Sequence, residues 1–408
     1  MRKGWTETTF GEVAHLEKGI SYKSSELCSD DDGIPFINLK SIDRGGGYRG
    51  DGLKWYSGSY KATQIVNPGD LILCCTDLTK HKAILGYPIL VPNIGIESFA
   101  ISLDLAKIIV DETKISRQYL FLLLQGQQMR SFMQSRSSGT TVIHLKTSEV
   151  PTAVIQLPPP TEQKRIVDLI STVDSYLEAL EQRAGSARKS RNAVLHEMLS
   201  SGGEGWTETT LGEIAEVIGG GTPSTNVPMY WGNDVVWLTP TEIVAIDGKT
   251  VSDSVRKLTH EGLANSGAQI LPKGSVILTS RASVGFVAIS ECELSTNQGF
   301  QSLVPKEKVL AYFLMYWIQN NRNEFESRAA GSTFKEISKT NVKSIKLNLP
   351  PLTEQKRIVD LISSMDDEIS ATEKLKYEAK QLRSGLLSDL LSGEHEIPES
   401  YDKVMGAA

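Results

Sequence analysis

Along two stretches of this chain, apolar residues fall in alternating steps of four and three. From Ile166 they recur at Ile170, Val173, Leu177, Leu180, Ala184, Ala187, Val194 and Met198, with Arg191 as the charged interruption. From Ile358 they recur at Ile362, Met365 and Ile369, pass through Thr372, weaken at Lys376, and resume at Ala379, Leu386 and Leu390. Each is a heptad seam flanked by charges, the pattern of a helix that packs along one face. About 40 residues at roughly 1.5 Å each predict a rod of roughly 60 Å. Two such helices in one chain most simply pair with each other, and an antiparallel pairing relates them by a local twofold axis.

Both helices open on nearly the same word. Residues 157–171 read LPPPTEQKRIVDLIS and residues 349–363 read LPPLTEQKRIVDLIS, identical at fourteen of fifteen positions. The prolines exclude helix ahead of the start. Thr161 and Thr353 are then expected to cap it, with Glu162 and Glu354 at the positive end of the dipole.

The repetition reaches beyond the helices. WTETTFGEVA at residues 5–14 returns as WTETTLGEIA at 206–215, 201 positions later. Ser135-Arg136…Gly139-Thr140-Thr141 returns as Ser327-Arg328…Gly331-Ser332-Thr333, 192 positions later, the same offset as the helix starts. The chain is therefore two units, each a globular part followed by a long helix. Between the repeated edges, residues 20–110 and 221–305 share only scraps. A common frame with divergent interiors suggests one scaffold carrying two different recognition surfaces. The interiors are mostly strand, in short β-rich runs at 70–75, 98–103, 235–238 and 274–279 separated by Gly, Pro, Asn and Asp clusters. Each closes on an apolar helical segment, 116–134 and 309–326. In a twofold arrangement the end of the last helix, near 391–394, lies beside the first Trp-Thr-Glu-Thr-Thr. The tail beyond it has little to bury and is expected to be loose.

Composition narrows the class without naming a function. A chain of 408 residues is long enough for two or three domains, each with its own core. No apolar run approaches a membrane span, and the opening Met-Arg-Lys-Gly-Trp is no signal peptide. The four cysteines show neither metal-ligand spacing nor a disulfide framework, which points to a reducing cytoplasm. A net charge of −6 does not favour nucleic acid, but binding depends on where basic groups cluster.

Catalytic signatures are missing: no GxGxxG, no Walker loop, no HExxH and no GxSxG. Six scattered histidines offer no metal site. Asn226-Val227-Pro228-Met229-Tyr230 approaches the Asn-Pro-Pro-Tyr of amino-methyltransferases, but Val227 and Met229 interrupt it. What recurs is polar loop chemistry. In the second unit the glycine-rich Gly219-Gly220-Gly221-Thr222-Pro223-Ser224-Thr225 can approach a phosphate. Thr239 and Thr241 follow one strand, and Ser280, Arg281 and Ser283 another. Asn297 and Gln298 carry amides able to bond adenine bidentately, as Arg281 can bond guanine. The first unit offers Tyr22, Lys40, Arg44, Thr76, Lys80 and Lys82. Thr140 and Ser332 mark the repeated Gly-Thr and Gly-Ser turns. Together they are candidate base-reading and phosphate-positioning loops.

The doubled Pro-Pro-x-Thr-Glu-Gln-Lys-Arg-Ile-Val and the doubled Trp-x-x-x-x-Leu/Phe-Gly-Glu carry a family resemblance. So do Gly-Gly-Gly-Thr-Pro-Ser-Thr…Tyr-Trp…Trp-Leu-Thr-Pro-Thr-Glu and Leu-Pro-Lys-Gly-Ser-Val-Ile-Leu-Thr-Ser-Arg-Ala-Ser-Val-Gly with Thr-Asn-Gln-Gly-Phe. From residue 5 to about 393 the chain resembles the specificity subunit of a type I restriction-modification enzyme. The resemblance implies an α+β fold: two β-rich target recognition domains in pseudo-twofold repeat, separated by two long antiparallel coiled-coil helices. On that plan, residues 1–156 and 201–348 are the recognition domains, 157–200 and 349–394 the spacer helices, and 395–408 a flexible tail. It further implies a noncatalytic, cytoplasmic subunit that reads a bipartite site on double-stranded DNA. Its partners would be two adenine-methylating modification subunits and restriction/translocase subunits. S-adenosylmethionine, ATP and Mg would belong to those partners. Glu162, Gln163, Arg165, Glu354, Gln355 and Arg357 would lie on the partner-binding helices. A noncatalytic protein-binding scaffold and, behind it, a fused DNA methyltransferase are the other readings.

Overall fold

The structure, a computed structural model, describes residues 4–29, 32–331, 335–398 and 400–405. The chain forms two compact units, Met1–Ala179 with Leu375–Ala408, and Leu180–Lys374. Both divisions fall inside the long helices, Pro160–Ser200 and Leu352–Ser392. Each unit is thus a globular part with a segment of both helices, and the boundaries at 157, 201, 349 and 395 do not delimit compact bodies.

The repeated words are the two halves of one local structure. Strand Thr6–Thr9 pairs antiparallel with Val154–Leu157, and Thr207–Thr210 pairs in the same way with Lys346–Leu349. Each first strand runs into a single helical turn whose N-terminus is held by a glutamate. Thr9 N donates to Glu12 Oε2 at 3.0 Å, and Thr210 N donates to Glu213 Oε2 at 3.0 Å. The hydroxyls of Thr8 and Thr209 donate to the same oxygens and hold both carboxyls below their ordinary pKa. The glycine within each word is required by close approach. A Cβ on Gly11 would meet Pro151 at 2.9 Å, and one on Gly212 would meet Lys343 at 3.0 Å.

Thr161 and Thr353 do not cap the long helices. Pro159 O accepts from the backbone N–H groups of Glu162 and Gln163, and Pro351 O from those of Glu354 and Gln355. The threonines therefore sit two positions inside the cap, as the second helical residue of each. Pro160 takes the first helical place, where a missing N–H costs nothing.

In the first unit a four-stranded antiparallel sheet has the order Ala14–Lys18, Leu105–Val110, Leu71–Cys74, Pro88–Leu90. The second unit repeats it as Ala215–Gly219, Gln301–Pro305, Val276–Leu278, Val287–Ser290, with Thr250–Val251 added at the edge. The divergent interiors form the other sheets. In the first unit these are Leu27–Cys28, Lys54–Tyr56, Ile34–Ile37, Phe99–Ile101, Ile65–Val66, and a small sheet of Ser137–Ser138, Ile143–Leu145 and Thr76–Asp77. In the second unit they are Trp231–Gly232, Arg256–Leu258, Val235–Leu238 and Ser295–Thr296. The apolar segment expected at 116–134 is two helices, Arg117–Gln125 and Gln127–Ser135, broken at Gly126. That glycine lies against Leu391, which a Cβ would meet at 2.7 Å. The segment at 309–326 is likewise Ala311–Asn320 and Arg322–Ser327.

Each core includes both long helices. In the first unit Ile166, Ile170, Leu387 and Leu390 join Trp5, Phe10, Tyr119 and Leu120. In the second, Leu195, Ile358 and Ile362 join Leu211, Phe313, Leu314 and Phe325. The tail is not loose where it is described. Ile397 is buried in the first core, and Asp402 takes both Nε and Nη2 of Arg165, at 2.8 and 2.6 Å.

The charged interruption in the seam is a built ion pair. Within the second unit Arg191, buried, bonds Asp366 through Nε at 2.9 Å and Nη2 at 3.1 Å. Within the first, Arg383 bonds Asp174 in the same bidentate way. Asp174 and Asp366 hold the same place in the repeat, as do Arg191 and Arg383. Each unit therefore joins the aspartate of one long helix to the arginine of the other, which sets those segments antiparallel in one register.

Candidate nucleic-acid interface

In the second unit five loops meet. Gly221 N donates to Thr296 O at 2.9 Å, Asn297 N to Leu238 O at 3.0 Å, and Ser280 N to Gly299 O at 2.8 Å. Ile337 N donates back to Ser280 O at 2.9 Å, and Ala282 N to Lys335 O at 2.9 Å. This chain of backbone bonds links the glycine-rich loop, the 239–242 turn, the 280–283 loop, the 297–299 turn and the strand-like pair around Ala330 and Glu336. Thr222 and Gln298 bond directly through their side chains. Asn297 Oδ1 accepts from Gly299 N at 2.8 Å, which leaves its NH₂ as the donor end.

Several candidates are spent inside the protein. Thr239 and Glu242 close a cap on helix Pro240–Ala245, through N–H at 2.9 Å and hydroxyl at 2.6 Å. Thr241 is exposed on that helix. Ser280 is buried, with its hydroxyl lacking a partner among the described residues. Ser283 is half-buried, and its carbonyl accepts the Thr279 hydroxyl at 2.5 Å. Arg281 is exposed, with Glu336 at 3.7 Å. Ser224 stays exposed; only its carbonyl is engaged, accepting from Trp231 Nε1 at 3.2 Å. Ser332 lies outside the described residues.

The first unit brings Lys40 and Arg44 into one cleft with Arg49, Lys54, Leu78 and Thr79. Its floor is fixed from both sides. Buried Asp77 accepts from the backbone of Thr79 at 2.6 Å, Ile84 at 2.7 Å and Leu85 at 3.2 Å. Arg130 donates to Ala83 O at 2.7 Å and to Leu85 O, and lies 5.2 Å from the Tyr87 ring. Lys80 stands exposed on the loop so held. Lys82 does not: its Nζ donates to Gln134 O at 2.9 Å. Thr76 is buried, its hydroxyl 3.1 Å from His144 Nδ1, so it holds the small sheet and presents nothing outward. Tyr22 packs edge-on against Phe36 at 4.9 Å, and burial raises its pKa. Thr140 is exposed at its turn.

On the helix starts, Gln163 and Gln355 are buried. Gln163 accepts from Ser116 N at 2.9 Å and donates to Pro158 O at 3.0 Å. Gln355 accepts from Leu310 N at 2.8 Å and donates to Pro350 O and Lys308 O, each at 2.9 Å. Both tie a helix start to its globular part. Glu162 accepts from Trp5 Nε1 at 2.9 Å, and Arg165 is engaged by Asp402. Glu354 and Arg357 pair on the surface, at 2.7 and 2.9 Å.

Residue reasoning missed Lys54 and Arg49, which also line the cleft, although Arg49 is held by Asp51 of the same cleft at 2.6 and 2.8 Å, and it missed Arg256, which lies on the Trp231–Trp237 pair. Arg256 meets its tryptophans only through sheet register, so no local word marks it.

Two halves built on one frame, each with its own loop cluster and a share of two long helices, define a repeated α+β recognition scaffold. The family model for the type I restriction modification DNA specificity domain matches residues 2–185 and again 203–381, and the chain belongs to that family. The type I restriction enzyme MjaIX specificity subunit of Methanocaldococcus jannaschii is 35% identical over 171 residues, 41% of this chain and 40% of that protein. The chain thus aligns with less than half of that relative's length. The EcoR124I/EcoR124II specificity subunit of Escherichia coli is 26% identical over 301 residues, 69% of this chain and 72% of its own. Two solved structures share the fold. One, from work on complex assembly and conformational transition of the type I R-M system, has a TM-score of 0.62 at 19% identity, covering 95% of this chain and 98% of its own. The other, the type I restriction-modification S subunit from M. genitalium, has a TM-score of 0.54 at 15% identity, covering 97% of each chain.

Proposed function

We propose that this chain is the noncatalytic DNA-recognition subunit of a type I restriction-modification complex. Each globular part reads one half of a bipartite duplex site, and the paired helices hold the two readers at a set separation. The observation that carries this is the pairing of a repeated frame with unlike loop clusters: Thr222, Thr241, Arg281, Asn297 and Gln298 in one unit, Lys40, Arg44 and Lys80 in the other. Repetition serves two equivalent docking positions, and divergence serves two unlike half-sites. Phosphate contacts supply most of the affinity and base-edge contacts the sequence choice. Methylating subunits, carrying S-adenosylmethionine, dock on the scaffold, and restriction subunits, using ATP and Mg, join them in the cytoplasm.

The test is expression of the full chain with its cognate modification subunits, followed by genome-wide mapping of methylated adenines. A split motif with two defined halves and a fixed gap is expected. A stable complex that methylates nothing would refute DNA reading. Within that assay Arg281→Ala or Asn297→Ala should relax one half of the motif and leave the other unchanged.

A further inference from the structure

In the second unit Trp231 and Trp237 meet edge to face, with ring centroids 5.0 Å apart. The Arg256 guanidinium lies 3.5 Å from the Trp231 centroid and 5.8 Å from that of Trp237. Sheet register assembles this group, because Arg256 is the antiparallel partner of Trp237, and Trp231 pairs with Leu258 on the same strand. The same two indoles anchor the glycine-rich loop. Trp237 Nε1 donates to Gly221 O at 2.9 Å, and Trp231 Nε1 to Ser224 O at 3.2 Å. The cation and the loop are therefore fixed to one support.

Arg256 is also electrostatically distinct. The second unit has eight arginines, and seven face a carboxylate: Arg183, Arg188, Arg191, Arg281, Arg322, Arg328 and Arg357. Arg256 has neither an ion pair nor a side-chain hydrogen bond among the described residues, while its neighbour Lys257 is paired with Asp253 at 2.8 Å. An arginine laid on an aromatic face keeps its full charge and its five N–H groups, now in a fixed plane. That arrangement fits the oxygens of a phosphate, which take two parallel N–H bonds from such a fork.

We propose that Arg256 is a DNA-backbone contact of the second unit, held flat by Trp231 and Trp237 so that it sets the glycine-rich loop against the duplex. This rests on the reading that the unit binds DNA. Arg281, whose charge is shared with Glu336, keeps the base-reading role, and Arg256 takes the phosphate.

The test uses the full chain in complex with its cognate modification subunits. Binding is measured over a salt series to a duplex bearing the mapped motif and to an unrelated duplex of equal length. Arg256 is exposed, so Arg256→Ala keeps the fold. It should weaken binding to both duplexes about tenfold and make the slope of log K against log salt shallower by about 0.9, with the methylated motif unchanged. Arg256→Lys keeps the charge and should restore the slope while recovering only part of the affinity. Trp231→Ala should act in the same direction as Arg256→Ala. Unchanged affinity and slope in Arg256→Ala would overturn the assignment. So would a change confined to one base pair of the motif, which would make Arg256 a base reader. If the wild-type complex methylates a split motif while Arg256→Ala behaves like it, this inference fails alone. A wild-type complex that binds neither duplex removes both.

Discussion

Asp366→Asn should destabilise the second unit more than Arg191→Met does, although both substitutions break the same ion pair. The Arg191 side chain is 10% exposed and that of Asp366 37% exposed. Two unit charges about 4 Å apart at an effective dielectric near 20 attract by about 4 kcal/mol before desolvation is subtracted. Removing one partner of a fully buried pair costs about 3–5 kcal/mol, because the other charge is stranded. Asp366 reaches solvent, so screening lowers the expected cost of Asp366→Asn to about 2 kcal/mol. The stranded guanidinium would keep the neutral oxygens of Gln319, at 3.0 Å, and Asn192, at 3.3 Å, and the Tyr316 ring, at 5.1 Å, none of which offsets its charge as a carboxylate does. Arg191→Met instead leaves a carboxylate that water can reach and fills the seam beside Leu195, for a cost of about 1 kcal/mol or less. Urea unfolding followed by tryptophan fluorescence suits the measurement, since Trp206, Trp231, Trp237 and Trp317 all lie in this unit. The equivalent Asp174–Arg383 pair is more exposed on both sides, 43% and 20%, and Asp174→Asn should cost about 1 kcal/mol. Equal losses for Asp366→Asn and Arg191→Met, or a larger loss for Arg191→Met, would refute the idea that the stranded charge decides the outcome.

Gln355→Leu should cost about 2 kcal/mol, because Pro350 O loses its partner in a buried place and Leu310 N and Lys308 O lose theirs in part-buried ones; an unfolding midpoint equal to wild type would contradict it. Asp402 is held below its ordinary pKa by Arg165, so its contribution is present above the unfolded value of 3.8 and is lost as pH falls through the lower folded value. Limited proteolysis should therefore leave the short helix Tyr401–Met405 protected at neutral pH and cut it in acid, while Asp402→Asn should make it susceptible at both; an unaltered cleavage pattern would show that Ile397 alone holds the tail. Inserting residues into one long helix should change the gap between the half-sites and preserve both halves of the motif, and an unchanged gap would remove the helices from the role of spacer.

The repeat, the two long helices, the strand character of the interiors and the positions of the loops were all legible along the chain, because each depends on neighbours within a few residues. The doubled words even marked the right segments, since a proline-bounded helix start and a glutamate-held turn are local structures. Where local rules competed, the outcome moved by two residues or broke a helix. Proline displaced threonine from the cap, and the segment that apolar periodicity drew as continuous is divided at Gly126, where the chain lies against Leu391. Tertiary structure alone decided which polar residues remain outward. Thr76, Gln163 and Gln355 read as available side chains, yet each is buried because a strand or helix start from far along the sequence requires its hydrogen bonds. The same holds for the pairing of Arg191 with Asp366 and the seating of Arg256 on Trp231. Local pattern fixes which residues can carry charge and how each element begins. Only packing brings charges from distant elements within a few ångströms of one another, and at that range a single carboxylate or indole determines whether a cation is consumed by the fold or left for a ligand.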